Sequence, residues 1–442
     1  MRQSTILKVA TCVSVVFMIA ACSSGGGGEA ATGGSGESSS VPSGDPTATI
    51  QVLSILDPEK EGINLVLAAF NKAHPTITVE YENVAFNDLN SVLDARIANK
   101  DGNPDVYWAD QPRISALAAR GFTADITEPF KDDMQLWDAA TVESSTYDGK
   151  LYGAPFSNTT QLLYYNKDLL DAAGVAYPSA DPENRATWES LMPDLKKVVD
   201  AGAENGIVFG QVDRYYQLEP LPVSLGGSPG GTGEGNLTPD VTSEAWVKAF
   251  DFYGSIFADG LSNRGVSPEQ SDADFRAGKT AYEIQGPWLL PSLPDSGINW
   301  GVALHPMFAD GVAVSPVGAW SLALSPFSDE KEAALIFMKW MTVDDGGGYS
   351  LNRPDPELPV TALAKADYFA KDLFQSEEGK KAAAIMAYEP TNTAVPRLPT
   401  VGYIEFEEIM GRAFSDIRNG ADARTALETA STELETAWAA YK

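Results

Sequence analysis

Apolar residues recur along this chain with two periods, one of two residues and one of three to four, and the two kinds of stretch take turns. Residues 49–56 form an apolar run of strand length, after which Ile63, Val66, Leu67 and Phe70 share one helical face until His74-Pro75 stops it. Asp57-Pro58 predicts the N-cap and first position of that helix. Ile77, Val79 and Tyr81 alternate as a strand. Asp88 predicts the cap of a helix carrying Leu89, Val92, Leu93 and Ile97, and residues 105–109 form a third strand with Asp110 at its carboxyl edge. Strands alternating with helices predict an α/β lobe with a largely parallel sheet, whose ligands lie beyond the carboxyl ends of its strands. Asp57, Trp108 and Asp110 fall at such ends.

The pattern changes over residues 147–174. Asp148-Gly149 between apolar neighbours predicts a tight hairpin with arms at 146–147 and 151–152. A crossing strand follows, interrupted by Gly153, Pro155 and the polar run 157–161, which includes Asn158 and Thr159; a buried apolar stretch, Leu162 to Tyr165, comes next. Asn166 predicts the cap of a short helix ending at Gly174. A polar interruption inside a buried strand is what a hinge that also touches a ligand requires, so one lobe is expected to hand over to another here.

Beyond it, residues 188–200 read as a helix and 207–212 as a strand running into Arg214-Tyr215-Tyr216. Residues 224–235 form a Gly-rich loop, and 243–258 a helix burying Trp246, Phe250 and Phe257. A helix at 270–277 and a strand at 280–285 lead into Gly286-Pro287-Trp288, where the strand breaks and the indole is pushed out at its end. Strands follow at 300–304 and 313–324, and helices at 329–341, 404–418 and 421–438.

Length and charge narrow this picture. At 442 residues the chain exceeds what one core serves, and its 44% hydrophobic content supports sizeable cores. The formal charge of −30 argues against nucleic acid and against direct adsorption to anionic lipid. Arg2 and Lys8 precede an apolar run over residues 9–21, too short and too poorly flanked to span a membrane. Ile19-Ala20-Ala21-Cys22 resembles a bacterial lipobox, predicting removal of residues 1–21 and lipidation of Cys22. Cys12 would leave with the signal, and a lone Cys22 allows no intramolecular disulfide. The Gly/Ser-rich residues 23–44 predict a flexible tether reaching about 26 Å. The body would then sit on the outer face of the cytoplasmic membrane, held by lipid alone.

Catalytic motifs fare poorly. His74 and His305 are the only histidines and neither has metal-ligand or triad neighbours in sequence, so no metal or cofactor is expected. Gly226-Gly227-Ser228-Pro229-Gly230 matches G-x-S-x-G, but Pro229 cannot supply an oxyanion-hole amide. Gly278-Lys279-Thr280 resembles the end of a phosphate loop, but Ala273 replaces its first glycine and a strand follows. What remains is aromatic and polar: Trp108, Asp110, Tyr216, Trp288, Trp320 and Arg397. Flat rings cover the C–H faces of sugars, while Asp, Asn and Arg satisfy hydroxyls in pairs.

These residues resemble the extracellular solute-binding proteins of family 1, carbohydrate-binding components of bacterial ABC importers related to maltose-binding protein. The resemblance rests on Phe70-Asn71-Lys72 with Ile77-Thr78-Val79-Glu80, on the stretch from Asn103 to Asp110, on Gly149 to Pro155 with Tyr165-Asn166-Lys167, and most specifically on Phe275 to Trp288. It implies a two-lobed α/β fold of the periplasmic-binding-protein type II class with three hinge crossings. The lobes would be 45–155 with 316–356, and 156–315 with 357–442. It also implies a non-enzymatic monomer that closes on a sugar or oligosaccharide and presents it to permease subunits. By position the ligand residues would be Asp57, Trp108, Asp110, Asn158, Thr159, Arg214, Tyr216, Trp288, Trp320 and Arg397. The first strand lacks the tryptophan frequent near Ser54, Thr159 stands where the maltose protein has an acid, and Arg214 takes another acidic place. These departures argue against maltose itself. The alternatives are a secreted carbohydrate-active enzyme and the same fold binding a polyamine or metal complex.

Overall fold

Two sheets organise the body, and each is built where period-two apolar runs come together. The computed structural model describes residues 44–86, 88–355 and 357–442, so the signal, Cys22 and most of the tether lie outside the described residues. In the first sheet Ile77–Asn83, Ala48–Ser54 and Val106–Asp110 run parallel, and Gly318–Leu324 and Ala154–Thr159 complete it antiparallel, in that order. In the second, Trp300–Leu304, Leu162–Asn166, Thr280–Gln285 and Asn205–Phe209 lie side by side, only the last pair being parallel. Strands buried on both faces need cover on both. The first sheet packs one face on Phe337 and Met338 of the helix Lys331–Thr342, and the other on Leu93 and Ile114. The second packs one face on Trp246, Phe250, Phe406 and Trp438, and the other on Phe275, Ile385 and Met386.

The chain passes from the first sheet to the second between Thr159 and Leu162 and returns between Leu304 and Gly318. A third passage runs past Leu358, whose carbonyl accepts the Asn158 amide at 2.7 Å. The handover drawn at residue 155 thus falls inside a strand that lies wholly in the first sheet; register moves it past Thr159.

Local signals were realised where short-range chemistry decides. Thr146 pairs with Leu151 and Tyr147 with Lys150 around Asp148 and Gly149, both at positive φ. The Asn166 side chain accepts the amides of Asp168 and Leu169 and opens the helix Lys167–Ala172. Two expectations need correction. Asp57 caps a turn, accepting the amides of Glu59 and Lys60, while the helix starts only at Ile63 after the left-handed Gly62. The polar run 157–161 interrupts the crossing strand only over its last two residues. Ser157, Asn158 and Thr159 continue it, Thr160 and Gln161 form the break before Leu162, and all five are buried, with Asn158, Thr159, Thr160 and Gln161 hydrogen-bonded to neighbouring groups. The helices Ala362–Ala370 and Glu377–Asn392 were not anticipated. The second buries only Ala382, Ile385 and Met386 as apolar side chains longer than glycine, and carries Pro390.

Candidate functional site

Where the chain crosses between sheets, it leaves polar side chains that need partners. Thr159 Oγ1 donates to the Gly318 carbonyl at 2.6 Å and lies 3.1 Å from the Tyr216 hydroxyl. Gly318 admits this approach because a Cβ there would sit 2.2 Å from Thr159 Oγ1 and 2.5 Å from the Tyr216 ring. The Gln161 amide donates to the Tyr216 carbonyl at 2.7 Å, and Gln217 donates to Gln161 at 3.0 Å. The crossing and the turn carrying Tyr216 are thus one hydrogen-bonded unit.

Around that unit stand the charged and aromatic groups. The Arg397 guanidinium lies 5.2 Å from the Tyr216 ring centroid and grips both Asp110 oxygens, at 2.8 and 2.5 Å. Its Nε donates to the Val317 carbonyl at 3.4 Å, so these bonds use three of its five N–H donors. Burial opposes the Arg397 charge, yet Asp110 beside it outweighs that and holds its pKa well above the usual value. The Trp288 ring lies back over Gly286 and tilts by 38° toward Tyr216, with centroids 6.3 Å apart. The half-exposed Trp288 and the buried Tyr216 make an aromatic corner on the second lobe.

A second aromatic group faces it from the first lobe. Trp320 is half-buried and meets Phe86 edge-on at 5.9 Å, and the Arg214 guanidinium lies 4.0 Å over the Phe86 ring. Burial pulls the Arg214 pKa below its ordinary value against the opposing charge of Glu407.

Several expected positions are engaged by neighbours of their own. Trp108 is 1% exposed, packed on Phe156, Tyr349 and Trp320 within the first-lobe core. It shares a strand face with Val106, which is buried in the same core, so the indole backs Trp320. Asp57 is held by its own turn and by Lys60 at 3.0 Å, and those bonds, the Lys60 side chain first, lower its pKa. The Asn158 side chain folds back onto the Thr159 amide at 2.8 Å. Ser228 bonds within its own loop, accepting the Gly230 amide at 3.2 Å.

Phe86, Arg113 and Glu407 were missed. Arg113 and Glu407 form an ion pair in the same region. Phe86 had no periodic neighbour to mark it, and Glu407 reads as an ordinary acid early in a helix. Also missed was the network at the carboxyl ends of the first-lobe strands, where Arg353 binds Glu357 at 2.9 and 3.0 Å and the Glu61 carbonyl at 2.9 Å. Burial raises the Glu61 pKa. Two surface hollows of about 320 and 350 Å³, beside the last two helices and beside Glu244, hold none of these groups. Among the described residues no cluster of three or more His, Cys, Asp or Glu could hold a metal, and no helix is long and apolar enough to cross a membrane.

Comparison with known proteins agrees with this architecture. The profile of the bacterial extracellular solute-binding proteins matches residues 57–348. The maltodextrin-binding protein MdxE of Bacillus subtilis (strain 168) is 26% identical over 409 residues, 90% of this chain and 91% of its own. The galactooligosaccharide-binding protein of the same organism is 30% identical over 289 residues, covering 63% and 65%. Among solved structures, an ABC substrate-binding protein of Listeria monocytogenes in complex with cycloalternan superposes with a TM-score of 0.76 at 23% identity, covering 88% of this chain and 99% of that one. The GacH receptor of Streptomyces glaucescens, solved unliganded and with acarbose, gives 0.74 at 23%, covering 90% and 100%.

Proposed function

This chain belongs to the bacterial extracellular solute-binding protein family, and from that premise we propose that it captures a sugar or oligosaccharide between its lobes and delivers it to the permease subunits of an ABC importer. The observation that carries the reading is the pair of aromatic groups, Tyr216 with Trp288 and Trp320 with Phe86, flanking the charged Asp110 and Arg397. Rings offer faces to the apolar side of a sugar, and the polar groups between them order its hydroxyls. Relatives named for maltodextrin and galactooligosaccharide binding support a saccharide. Arg113, Arg214 and Arg397 in one region disfavour a polyamine, which would meet like charge.

The protein itself carries out no reaction in this account. Closing requires that the ligand bind the closed form better than the open one, so both lobes must contribute contacts. Asp110, Thr159 and Trp320 act from the first lobe; Tyr216, Trp288, Arg214 and Arg397 act from the second. Asn158 and Trp108 support this surface from beneath, and Asp57 lines its first-lobe edge. The lobes divide at 45–159 with 316–356 against 160–315 with 357–442. The protein works as a monomer, anchored through lipidated Cys22 to the outer face of the cytoplasmic membrane after loss of residues 1–21.

A thermal-shift screen of the body against oligosaccharides, uronates and polyamines tests the ligand class. Stabilisation by one saccharide class is the expected result. A response to polyamines alone would overturn the sugar assignment.

A further inference from the structure

Three ion pairs join residues 110–120 of the first lobe to residues 397–407 of the second. Arg397 holds Asp110 beside the crossing, and Arg113, just beyond, meets Glu407. Arg120, at the end of the helix Ile114–Ala119, meets Glu405 at 2.6 Å, and the Tyr441 hydroxyl donates to the same carboxylate oxygen at 2.9 Å. Glu405 and Glu407 sit near the start of the helix Tyr403–Arg418, whose remaining buried face, including Phe406, Met410 and Phe414, is fixed in the second-lobe core. Asp94, on the neighbouring helix, adds an attractive charge toward Arg120 and Arg113.

The first pair lies against the Tyr216 ring, and Glu407 of the second is among the charges that act on Arg397 and Arg214. Arg120 lies seven residues beyond Arg113, about 10 Å along the helix axis. A hinge rotation displaces contacts between the lobes more than the crossing itself. Hydrogen-bonded ion pairs weaken once the heavy atoms part by about an ångström beyond contact.

We propose that Arg113–Glu407 and Arg120–Glu405 form a clasp that favours lobe closure before ligand arrives, so that these four residues set ligand affinity without touching the ligand. The affinity part rests on the binding function proposed above; the closure part does not. A free-energy bias toward the closed form raises apparent affinity by enlarging the binding-competent fraction. Partly exposed pairs contribute modestly, so an effect of about 2- to 5-fold per pair is expected. Salt should weaken it.

The experiment uses the full chain and its variants R120Q, E405Q and R120Q/E405Q, with small-angle scattering of the ligand-free protein and calorimetric titration with a maltooligosaccharide series. The clasp requires a larger radius of gyration in each single variant and in wild type at 1 M NaCl. It also requires about 2- to 5-fold weaker binding in each single variant, with the double variant no worse than either. An unchanged radius in E405Q and in high salt would overturn the clasp whether or not a sugar binds. Equal affinities, or losses that simply add, would overturn its role in affinity. Wild type that binds no saccharide, yet expands on losing the pairs, would keep the clasp and remove the ligand assignment instead.

Discussion

Arg397 and Asp110 come from opposite lobes, 287 residues apart in sequence, and meet as a two-pronged ion pair at 2.8 and 2.5 Å beside the crossing. Both are largely withdrawn from water, with side chains 4% and 12% exposed. A buried pair of this kind is costly to break, because removing one member strands the other.

Arg397→Met should therefore destabilise the protein by about 3–5 kcal/mol and weaken ligand binding. The double variant Asp110→Leu/Arg397→Met should recover much of the stability but not the binding. Urea unfolding of the three variants checks the first statement and calorimetry the second.

Gly318 is a second point of close approach. Gly318→Ala would drive a methyl group into Thr159 and the Tyr216 ring, at a cost of about 1–3 kcal/mol for forced overpacking. Tyr216 would shift with it, so a loss of affinity accompanying the drop in melting temperature is the expected outcome.

His305 makes stability depend on pH. Burial pushes its pKa down to about 3, so the folded protein refuses a proton that the unfolded chain accepts below its ordinary value near 6.5. Its contribution is complete above about 6.5 and is lost as pH falls toward 3, amounting to about 2–3 kcal/mol at pH 4.5. Unfolding at pH 7 and 4.5 should show this loss, and His305→Gln should flatten it.

Glu219 acts in the opposite sense. Burial raises its pKa to about 8 against the opposing charge of Arg397, and the nearby Tyr215 hydroxyl already donates to Pro229 at 2.6 Å. Its raised folded pKa favours the fold at low pH and opposes it progressively as pH rises from about 4.5 to 8, by about 3 kcal/mol at pH 7. Glu219→Gln should raise the melting temperature at pH 8 and leave it unchanged near pH 4.5.

How much of this could be read in the chain differs from element to element. Asp148-Gly149 and the Asn166 cap are decided by chemistry within a few residues, and both were legible. Trp108 was not, because strand ends in sequence are uncertain by a residue or two, while the direction of an indole depends on which sheet face it occupies. The first three residues of the polar run, 157–159, were misread for a related reason. Their partners, Gly318, Tyr216 and Leu358, lie far along the chain, and only folding brings them into reach. The helix Glu377–Asn392 left little apolar pattern to find, since it buries small side chains together with Glu389, which pairs with Arg185 at 2.8 Å. Trp288 was marked by Gly286-Pro287 and Tyr216 by its place beyond a strand end, and the structure sets their rings 6.3 Å apart.

The most direct test of the whole account is a calorimetric titration of the protein with a panel of oligosaccharides, run in parallel on wild type and Trp288→Ala. The account predicts saturable binding of one saccharide class by wild type, weakened by about 2 kcal/mol or more in a variant whose melting temperature is otherwise unchanged. Undiminished binding in a folded Trp288→Ala protein, or heat from no saccharide at all, would contradict it.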